Sequence, residues 1–336
     1  MKMLKNKYKG KRIKYKTINW KEYNQSLKDR GNLQIMVTHD FRRMWGSKKN
    51  AKKKKGGQII YQDNTIRRCI EIRCLFGLKL RQLEGFLSGL LNEFKITSKA
   101  PDYTTLSRRC QKIKIKIDRL KSWDKFKKNN EDSLDSKGDN KAKENDEITY
   151  ICLDSTGIKV YSGKEKLKNK NGIKYERKIW NKLHVSVDQD KFIRSFSVTS
   201  HKRDDRKEVG NLMNGISPKE IIADAGYDGN KIYEACDEIG AKCTVRPVQN
   251  KGSPKQKTKR YDNAIFLKSH GFSAWAKLIK YHRREQVENT FYRLKKSFGG
   301  SFLSREKQNR ENEMAIKCNL LNRMFTLCKP ICLPDL

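Results

Sequence analysis

The sequence predicts an α/β protein: a mixed sheet flanked by helices, with a helical region ahead of it. Three observations predict this. Between residues 148 and 246 short apolar runs follow one another and then alternate with helical patterns, as in a sheet with helices packed on it. Between 64 and 116 the apolar residues recur instead at helical spacing. The two textures are separated by Asn129–Glu147, which has one large apolar residue, Leu134, and seven acids to three bases; it cannot bury enough to order itself and reads as a linker.

Taken in order, residues 1–60 hold 19 Lys/Arg against three acids, including Lys52–Lys55, and read as a solvated basic arm without fixed structure. Trp20, Tyr23, Phe41 and Trp45 are interleaved there, which also suits contact with a nucleic-acid backbone. Residues 61–124 form the helical region. Ile66, Cys69, Ile70 and Leu75-Phe76 mark one helix; Leu80, Leu83, Phe86, Leu87, Leu90 and Leu91 mark a second. Ala100-Pro101-Asp102 breaks the chain, and Asp102 or Thr104 caps a third helix running to Ile117. This reads either as a helix-turn-helix that lays its last helix in the major groove or as a plain three-helix bundle with a basic outer face.

After the linker, 125–147, comes a catalytic-type unit over 148–306. Ile148–Leu153 is a strand ending at Asp154, with Gly157–Tyr161 as its hairpin partner. Lys182–Val187 and Phe192–Val198 are two more strands. Helix Arg203–Met213, strand Glu220–Ala223, helix Gly229–Ile239 and strand Lys242–Arg246 follow, then a polar stretch, Gln249–Asp262, without clear fold. A long helix runs from about Trp275 to Phe298, stopped by Gly299-Gly300. A last amphipathic helix, Glu311–Leu327, lies in the C-terminal segment 307–336.

Lys plus Arg number 77 against 38 acids, a formal charge of +39, so the chain needs a polyanion to neutralise it. Nucleic acid fits better than a membrane surface, because the basic residues are spread along the whole chain instead of one amphipathic face. No run of 18 apolar residues exists to span a bilayer, and the charged start has no apolar stretch behind it. The nine cysteines form no CxxC and several sit in apolar patterns, which suggests reduced thiols in a cytosolic compartment; zinc held by Cys328, Cys332 and a distant histidine is disfavoured by the spacing.

The chemistry lies in three carboxylates. Asp154 and Asp224 each follow a short apolar strand, a position more often held by a turn or cap residue. On the late helix, Tyr281, Arg284, Glu288 and Lys295 fall on one stripe, next to the apolar seam Val287, Phe291, Leu294 and Phe298 that docks the helix. Alone, Arg284 and Glu288 read as an ordinary i,i+4 surface pair. Together, three hard oxygen donors on converging elements suit Mg²⁺, which takes its remaining ligands from water and phosphate. Two such ions about 3.5–4 Å apart serve an in-line displacement at phosphorus. Asp188 and Asp228 are nearby decoys, Asp228 read as a helix cap; His184 and His201 read as structural, and Trp180 as buried more readily than stacked on a base.

These residues carry a resemblance. The chain resembles bacterial insertion-sequence transposases of the DDE type, whose late helix bears the pattern Tyr-x2-Arg-x3-Glu-x6-Lys, matched here at Tyr281, Arg284, Glu288 and Lys295. NWKEYNQSLKDRGNL, LRQLEGFLSGLL, PDYTTLSRR and RKIWNKLHVSVD are similar to stretches of the insertion-sequence-five family. The resemblance implies a ribonuclease-H-like catalytic core in which Asp154, Asp224 and Glu288 bind two Mg²⁺ ions, with Mn²⁺ as substitute. It implies that water frees a 3′-OH at the element's ends and that this 3′-OH attacks target DNA. Tyr281, Arg284 and Lys295 would hold DNA backbone near the cut. The partners implied are double-stranded DNA, as terminal inverted repeats and target, and a second copy of the chain or more, in a bacterial cytoplasm at the nucleoid. The acidic linker and the Lys-rich arm depart from the family pattern without touching the triad. A catalytically inactive DNA-binding descendant is the alternative; a junction nuclease should lack the helix pattern, and a packaging protein would not explain carboxylates at strand ends.

Overall fold

The computed structural model describes residues 15–38, 40–45, 60–118, 148–168, 172, 174–248 and 258–334. Lys52–Lys55, the acidic stretch Asn129–Glu147 and most of the polar stretch after Val248 lie outside the described residues.

The basic N-terminal segment is not all arm. Tyr15–Thr17 (β1), Trp20–Asp29 (α1) and Leu33–Met36 (α2) are regular elements. Met36, Val37, Met44 and Trp45 are buried, and Phe41 packs against that core, while Trp20 stays exposed. Apolar residues spaced among lysines were enough to dock this part, which corrects the expectation of a solvated arm over 15–45.

Three helices follow as the apolar spacing predicts: Asp63–Phe76 (α3), Leu80–Glu93 (α4) and Tyr103–Lys112 (α5). Gly77 ends α3 in the left-handed region at φ 67°, where a side chain would be strained. Asp102 caps α5, accepting from the Thr104 and Thr105 amides at 2.9 Å. Helix α5 stops at Lys112, five residues before the predicted end at Ile117. The run Ile113-Lys-Ile-Lys-Ile117 alternates with period two, not 3.6. Its backbone is satisfied elsewhere: Ile115 N–H donates to Asn312 Oδ1 (3.0 Å) and Asp118 N–H to Asn319 Oδ1 (2.9 Å).

The second half is built on a five-stranded sheet: Tyr150–Lys168 (β2), Lys174–Asp188 (β3), Ile193–Ser200 (β4), Glu220–Ala223 (β5) and Lys242–Val245 (β6), in the order β4-β3-β2-β5-β6. β2, β3 and β4 are antiparallel; β5 and β6 run parallel to β2. This is the ribonuclease-H-like mixed sheet flanked by helices. Gly157–Tyr161 is not a returning strand but a continuation of β2, and the partner of β2 is β3. Val209–Met213 (α6) is preceded by a 3-10 turn, Asp205–Glu208, so the predicted helix from Arg203 is shorter than expected. Asn230–Glu238 (α7) links β5 to β6.

Alternation along β2 sorts the core. Ile151 and Leu153 face a cluster with Leu212, Ile232 and Cys236, whereas Cys152 faces the cluster holding Val287, Phe291 and Leu294. Those last three belong to Glu285–Phe298, and the long helix expected from Trp275 is broken here. Lys259–Leu278 (α8) ends, Lys280 adopts φ 55°, Tyr281–Arg284 form a 3-10 turn, and Glu285–Phe298 (α9) begins. Lys307–Leu327 (α10) is buried nearly all round, not amphipathic as expected. Cys332–Pro334 (β7) pairs with β1 and closes the chain on its own start. No helix among the described residues is long and apolar enough to cross a membrane.

Candidate active site

Asp154 lies inside a strand, not at its end. The parallel partner of β2 reaches only as far as the pair Leu153–Ala223, so from Asp154 onward β2 has β3 on one side and no strand from β5 on the other. The residue therefore borders the carboxyl edge of the parallel half, where α/β sheets place ligand sites. By alternation it shares the face of Cys152, against which α9 packs. Asp224 is the first residue past β5 and accepts from the Gly226 amide at 2.9 Å. A Cβ on Gly226 would sit 3.0 Å from Asp224 Oδ1 and 3.4 Å from Asp205 Oδ2. Glycine at that position lets two carboxylates close on one stretch of backbone.

Helix α9 is fixed along β2 and β5 by polar contacts at its start. The Tyr281 hydroxyl donates to Ala223 O at 3.2 Å, Arg283 Nη1 pairs with Glu220 Oε2 at 2.8 Å, and Gln286 Nε2 donates to the Tyr150 hydroxyl at 2.7 Å. At the far end Lys295 Nζ donates to Thr156 Oγ1 at 2.6 Å. Beyond it, Lys159 N–H donates to Gly300 O at 3.0 Å and Phe302 N–H to Lys159 O at 2.8 Å. Glu288 is thereby held beside Asp154, with Arg284 spanning the two: Nη1 lies 3.1 Å from Asp154 Oδ2, and Nη2 bonds Glu288 Oε1.

The electrostatics are unbalanced. Burial pushes the Asp154 carboxyl up to about 6; repulsion from Asp224 and Glu288 adds to this, and the Ser155 amide and Arg284 oppose it. Asp224 is raised too, first by burial and then by Asp205, against the Gly226 amide and Arg284. Carboxylates that repel one another at the edge of a sheet are a common mark of a functional centre.

The structure thus brings Asp154, Arg284 and Glu288 into direct contact and sets Asp224 near enough to repel Asp154. Lys295 reaches the same edge through Thr156. Tyr281 is buried and its hydroxyl is used on Ala223, so it holds the end of β5 and does not face solvent. Sequence reading missed Thr156 and the group behind Asp224. There Asp205 pairs with Lys182 Nζ at 2.8 Å and lies 3.5 Å from His184 Nδ1. His184 is buried, with Nε2 2.8 Å from Thr199 Oγ1; burial lowers its pKa. Asp205 and His184 lie 21 residues apart, and only the β3–β4 hairpin joins them.

The decoys have other roles. Asp188 accepts from the Asp190 and Phe192 amides at 2.9 Å and pairs with Arg194, fixing the β3–β4 turn. Asp228 does not cap α7 as expected. It is fully buried in a two-pronged pair with Arg260 (2.8 and 2.7 Å) and accepts from the Val248 amide. Trp180 is half-buried against His201, ring centroids 4.9 Å apart. All nine cysteines are free thiols.

The donor chemistry of Asp154, Asp224 and Glu288 fits divalent cations: hard oxygens, partly buried, carrying more negative charge than one guanidinium offsets. Among the described residues no three His, Cys, Asp or Glu side chains are grouped closely enough to hold one ion; at Asp154 and Glu288 the Arg284 guanidinium stands between the carboxylates.

Comparison with protein families agrees with this site. Residues 28–138, which precede all three carboxylates, match one family model described as a Transposase DDE domain. Residues 146–323, more than half of the chain and including Asp154, Asp224 and Glu288, match another of the same description, and the chain belongs to the transposases of the DDE type.

Proposed function

We propose that this transposase binds the terminal inverted repeats of its own insertion sequence and cuts and joins DNA strands through Asp154, Asp224 and Glu288. The observation that carries the reading is that Arg284 bridges Asp154 on β2 and Glu288 on α9, with Asp224 close enough to raise the Asp154 pKa. DDE transposases generally use divalent metal ions. The three carboxylates would hold two Mg²⁺ or Mn²⁺ ions, which when bound supply Lewis-acid activation at phosphorus.

The chain's own groups do the rest. Arg284 releases the carboxylates and takes a non-bridging phosphate oxygen, a geometry its guanidinium fork matches. Lys295, held at the β2 edge by Thr156, contacts the next stretch of backbone. Tyr281 works indirectly, keeping Ala223, and so Asp224, in place. Helices α3–α5, with the capped N-terminus of α5 exposed at Asp102 and Tyr103, contact the repeats away from the cut. Both ends of an element are joined in one complex, so at least two copies of the chain act together on DNA.

The test is strand cleavage of a labelled duplex carrying the repeats that flank the gene, in Mg²⁺ or EDTA, for wild type and Asp224→Asn. Metal-dependent nicks at the repeat ends, abolished in the variant, are expected. Binding without cutting under both conditions would overturn the reading in favour of a DNA-binding descendant.

A further inference from the structure

Four cations from distant parts of the chain meet at the turn between β3 and β4. Lys191 lies in that turn, Arg30 just past α1, Arg293 on α9 and Lys329 just past α10. Their floor is the buried edge-to-face pair Phe192 and Phe325, ring centroids 6.4 Å apart. Arg293 Cζ stands 4.6 Å from the centre of the Phe325 ring. Lys329 Nζ stands 5.6 Å from that of Phe192 and 5.8 Å from that of Phe325. Ring faces attract cations at such distances but do not neutralise them.

Among the described residues none of the four pairs with a carboxylate. Asp188 of the same turn pairs with Arg194 instead, and Asp190 offers Lys329 only its backbone carbonyl, at 3.0 Å. The cations therefore face one another. Burial and the charges of Arg293 and Lys329 hold Lys191 below the usual lysine range. Arg293 is lowered by burial, opposed by Tyr23 and reinforced by Arg30. Arg30 Nε is buried and donates to no acceptor among the described residues. Lys191 also adopts φ 70°, a left-handed conformation that glycine takes more easily. Folding alone would be better served by glycine in this turn.

We propose that Arg30, Lys191, Arg293 and Lys329 bind one phosphate group of a DNA backbone, away from the phosphate that is cut. Non-bridging phosphate oxygens accept from ammonium and guanidinium groups alike, and the phosphate charge relieves the repulsion among them. The turn opens at Asp188, which pairs with Ile151, three residues before Asp154 on β2. It therefore lies toward the opposite edge of the sheet from the carboxylates. A phosphate seated there orients the duplex without reading sequence. The ligand rests on the proposed action on DNA; the geometry of the site does not use the triad.

The test compares Lys191→Gly with Lys231→Gln in the full chain. Lys231 is exposed on α7, which packs on the other face of the sheet, and its loss removes the same charge. Affinity for a labelled duplex carrying the flanking repeats is measured by fluorescence anisotropy against salt concentration. Lys191→Gly should make the slope of log K against log salt shallower by about 0.9. Lys231→Gln and Lys191→Arg should keep the wild-type slope. Without DNA, Lys191→Gly should melt at or above the wild-type temperature, because glycine relaxes the turn and a repelling charge is gone. A lower melting temperature would assign Lys191 to folding and overturn the proposal. Equal slope changes in Lys191→Gly and Lys231→Gln would reduce the effect to net charge and overturn it too. A second arm adds inorganic phosphate to the DNA-free protein, against chloride at the same ionic strength. Phosphate should raise the melting temperature of wild type more than that of Lys191→Gly. Such a rise without a slope difference on DNA would make the ligand a free anion and overturn the assignment to DNA. If wild type cuts no repeat ends yet the slope difference is present, the triad reading falls and the phosphate site stands. If cutting is metal-dependent and the slopes do not differ, the reverse holds.

Discussion

Helices α9 and α10 are neighbours in the chain, and the contrast between them shows how the molecule separates folding from chemistry. α9 buries one face, with Val287, Phe291 and Leu294 in the core, and turns Glu288 toward the sheet edge, where it meets Arg284 of the preceding 3-10 turn. α10 is surrounded on all sides although its sequence is rich in Asn, Glu, Lys and Arg. The charges buried on α10 have matched partners. Lys317 Nζ lies 2.7 Å from Glu313 Oε1 and donates to Ser301 O; Glu313 accepts from the Leu303 and Ser304 amides at 2.9 Å. Arg73 of α3 bonds Leu303 O and Ser304 Oγ of the same loop at 2.9 Å. On the α9 side, three carboxylates share Arg284. Balanced buried charge holds the fold; unbalanced charge marks the place where a cation and a phosphate belong.

The largest effect expected from breaking the balanced side is on stability. Lys317→Met leaves Glu313 buried without its counter-ion and should cost about 3–5 kcal/mol in urea unfolding. A loss below about 1 kcal/mol would mean that Glu313 is relieved by water and that α10 is less enclosed than it is here. The unbalanced side should answer in the opposite way. Glu288→Gln removes a half-exposed pair with Arg284, worth about 0–1 kcal/mol of stability. It should nevertheless lower strand cleavage about a thousandfold, since several kcal/mol of transition-state stabilisation depend on that carboxylate. DNA affinity should stay the same or rise, as a negative charge is removed. Cleavage at the wild-type rate would remove Glu288 from the site.

What the sequence revealed divides along the same line. α9 was legible because its two stripes have different jobs, one apolar and one charged, and periodicity separates them. Strand β5 and helix α7 were legible for similar reasons. α10 was misread because a buried Asn or Lys looks like a surface residue until its partner is known, and the partners lie far away in sequence: Cys110, Ile113, Lys116 and Ile193. Strand β2 was cut short because Asp154-Ser-Thr-Gly157 has the composition of a turn; pairing with β3 overrides that local preference. The break at Lys280 left no trace in the helical spacing, since a 3-10 turn keeps Tyr281 and Arg284 near the same face.

A smaller effect sharpens the imbalance by pH. Asp154 has an ordinary pKa of 3.8 and is raised to about 6 in the fold, so the folded state holds its proton more tightly than the unfolded chain. The contribution to stability is full below pH 3.8 and is lost as pH rises through about 6. In EDTA, wild type should lose about 2–3 kcal/mol relative to Asp154→Asn across that window. Urea unfolding of both proteins at a series of pH values measures the difference. A difference that stays flat would mean that Arg284 fully offsets burial at Asp154.

The smallest expected effect concerns the asparagines of α10, which act as a substitute for a neighbouring strand. Asn312 accepts from the Ile115 amide and donates to Cys110 O (2.6 Å) and Ile113 O (2.7 Å). Seven residues on, Asn319 accepts from the Asp118 amide and donates to Lys116 O at 2.9 Å. Asn322 does the same for Ile193 on the edge strand β4, at 2.9 and 2.8 Å. An amide side chain offers one acceptor and a donor pair, as a peptide group does, so a helix can close an extended segment that has no strand beside it. Asn319→Leu keeps the volume but orphans one N–H and one C=O, and should cost about 1–3 kcal/mol. The loss should be local: hydrogen exchange at Asp118 should quicken, while exchange at Ile193, served by Asn322, should not. Acceleration at both sites would show that the two segments open as one unit. The helical region and the catalytic sheet would then be joined through α10 more tightly than these separate bonds imply.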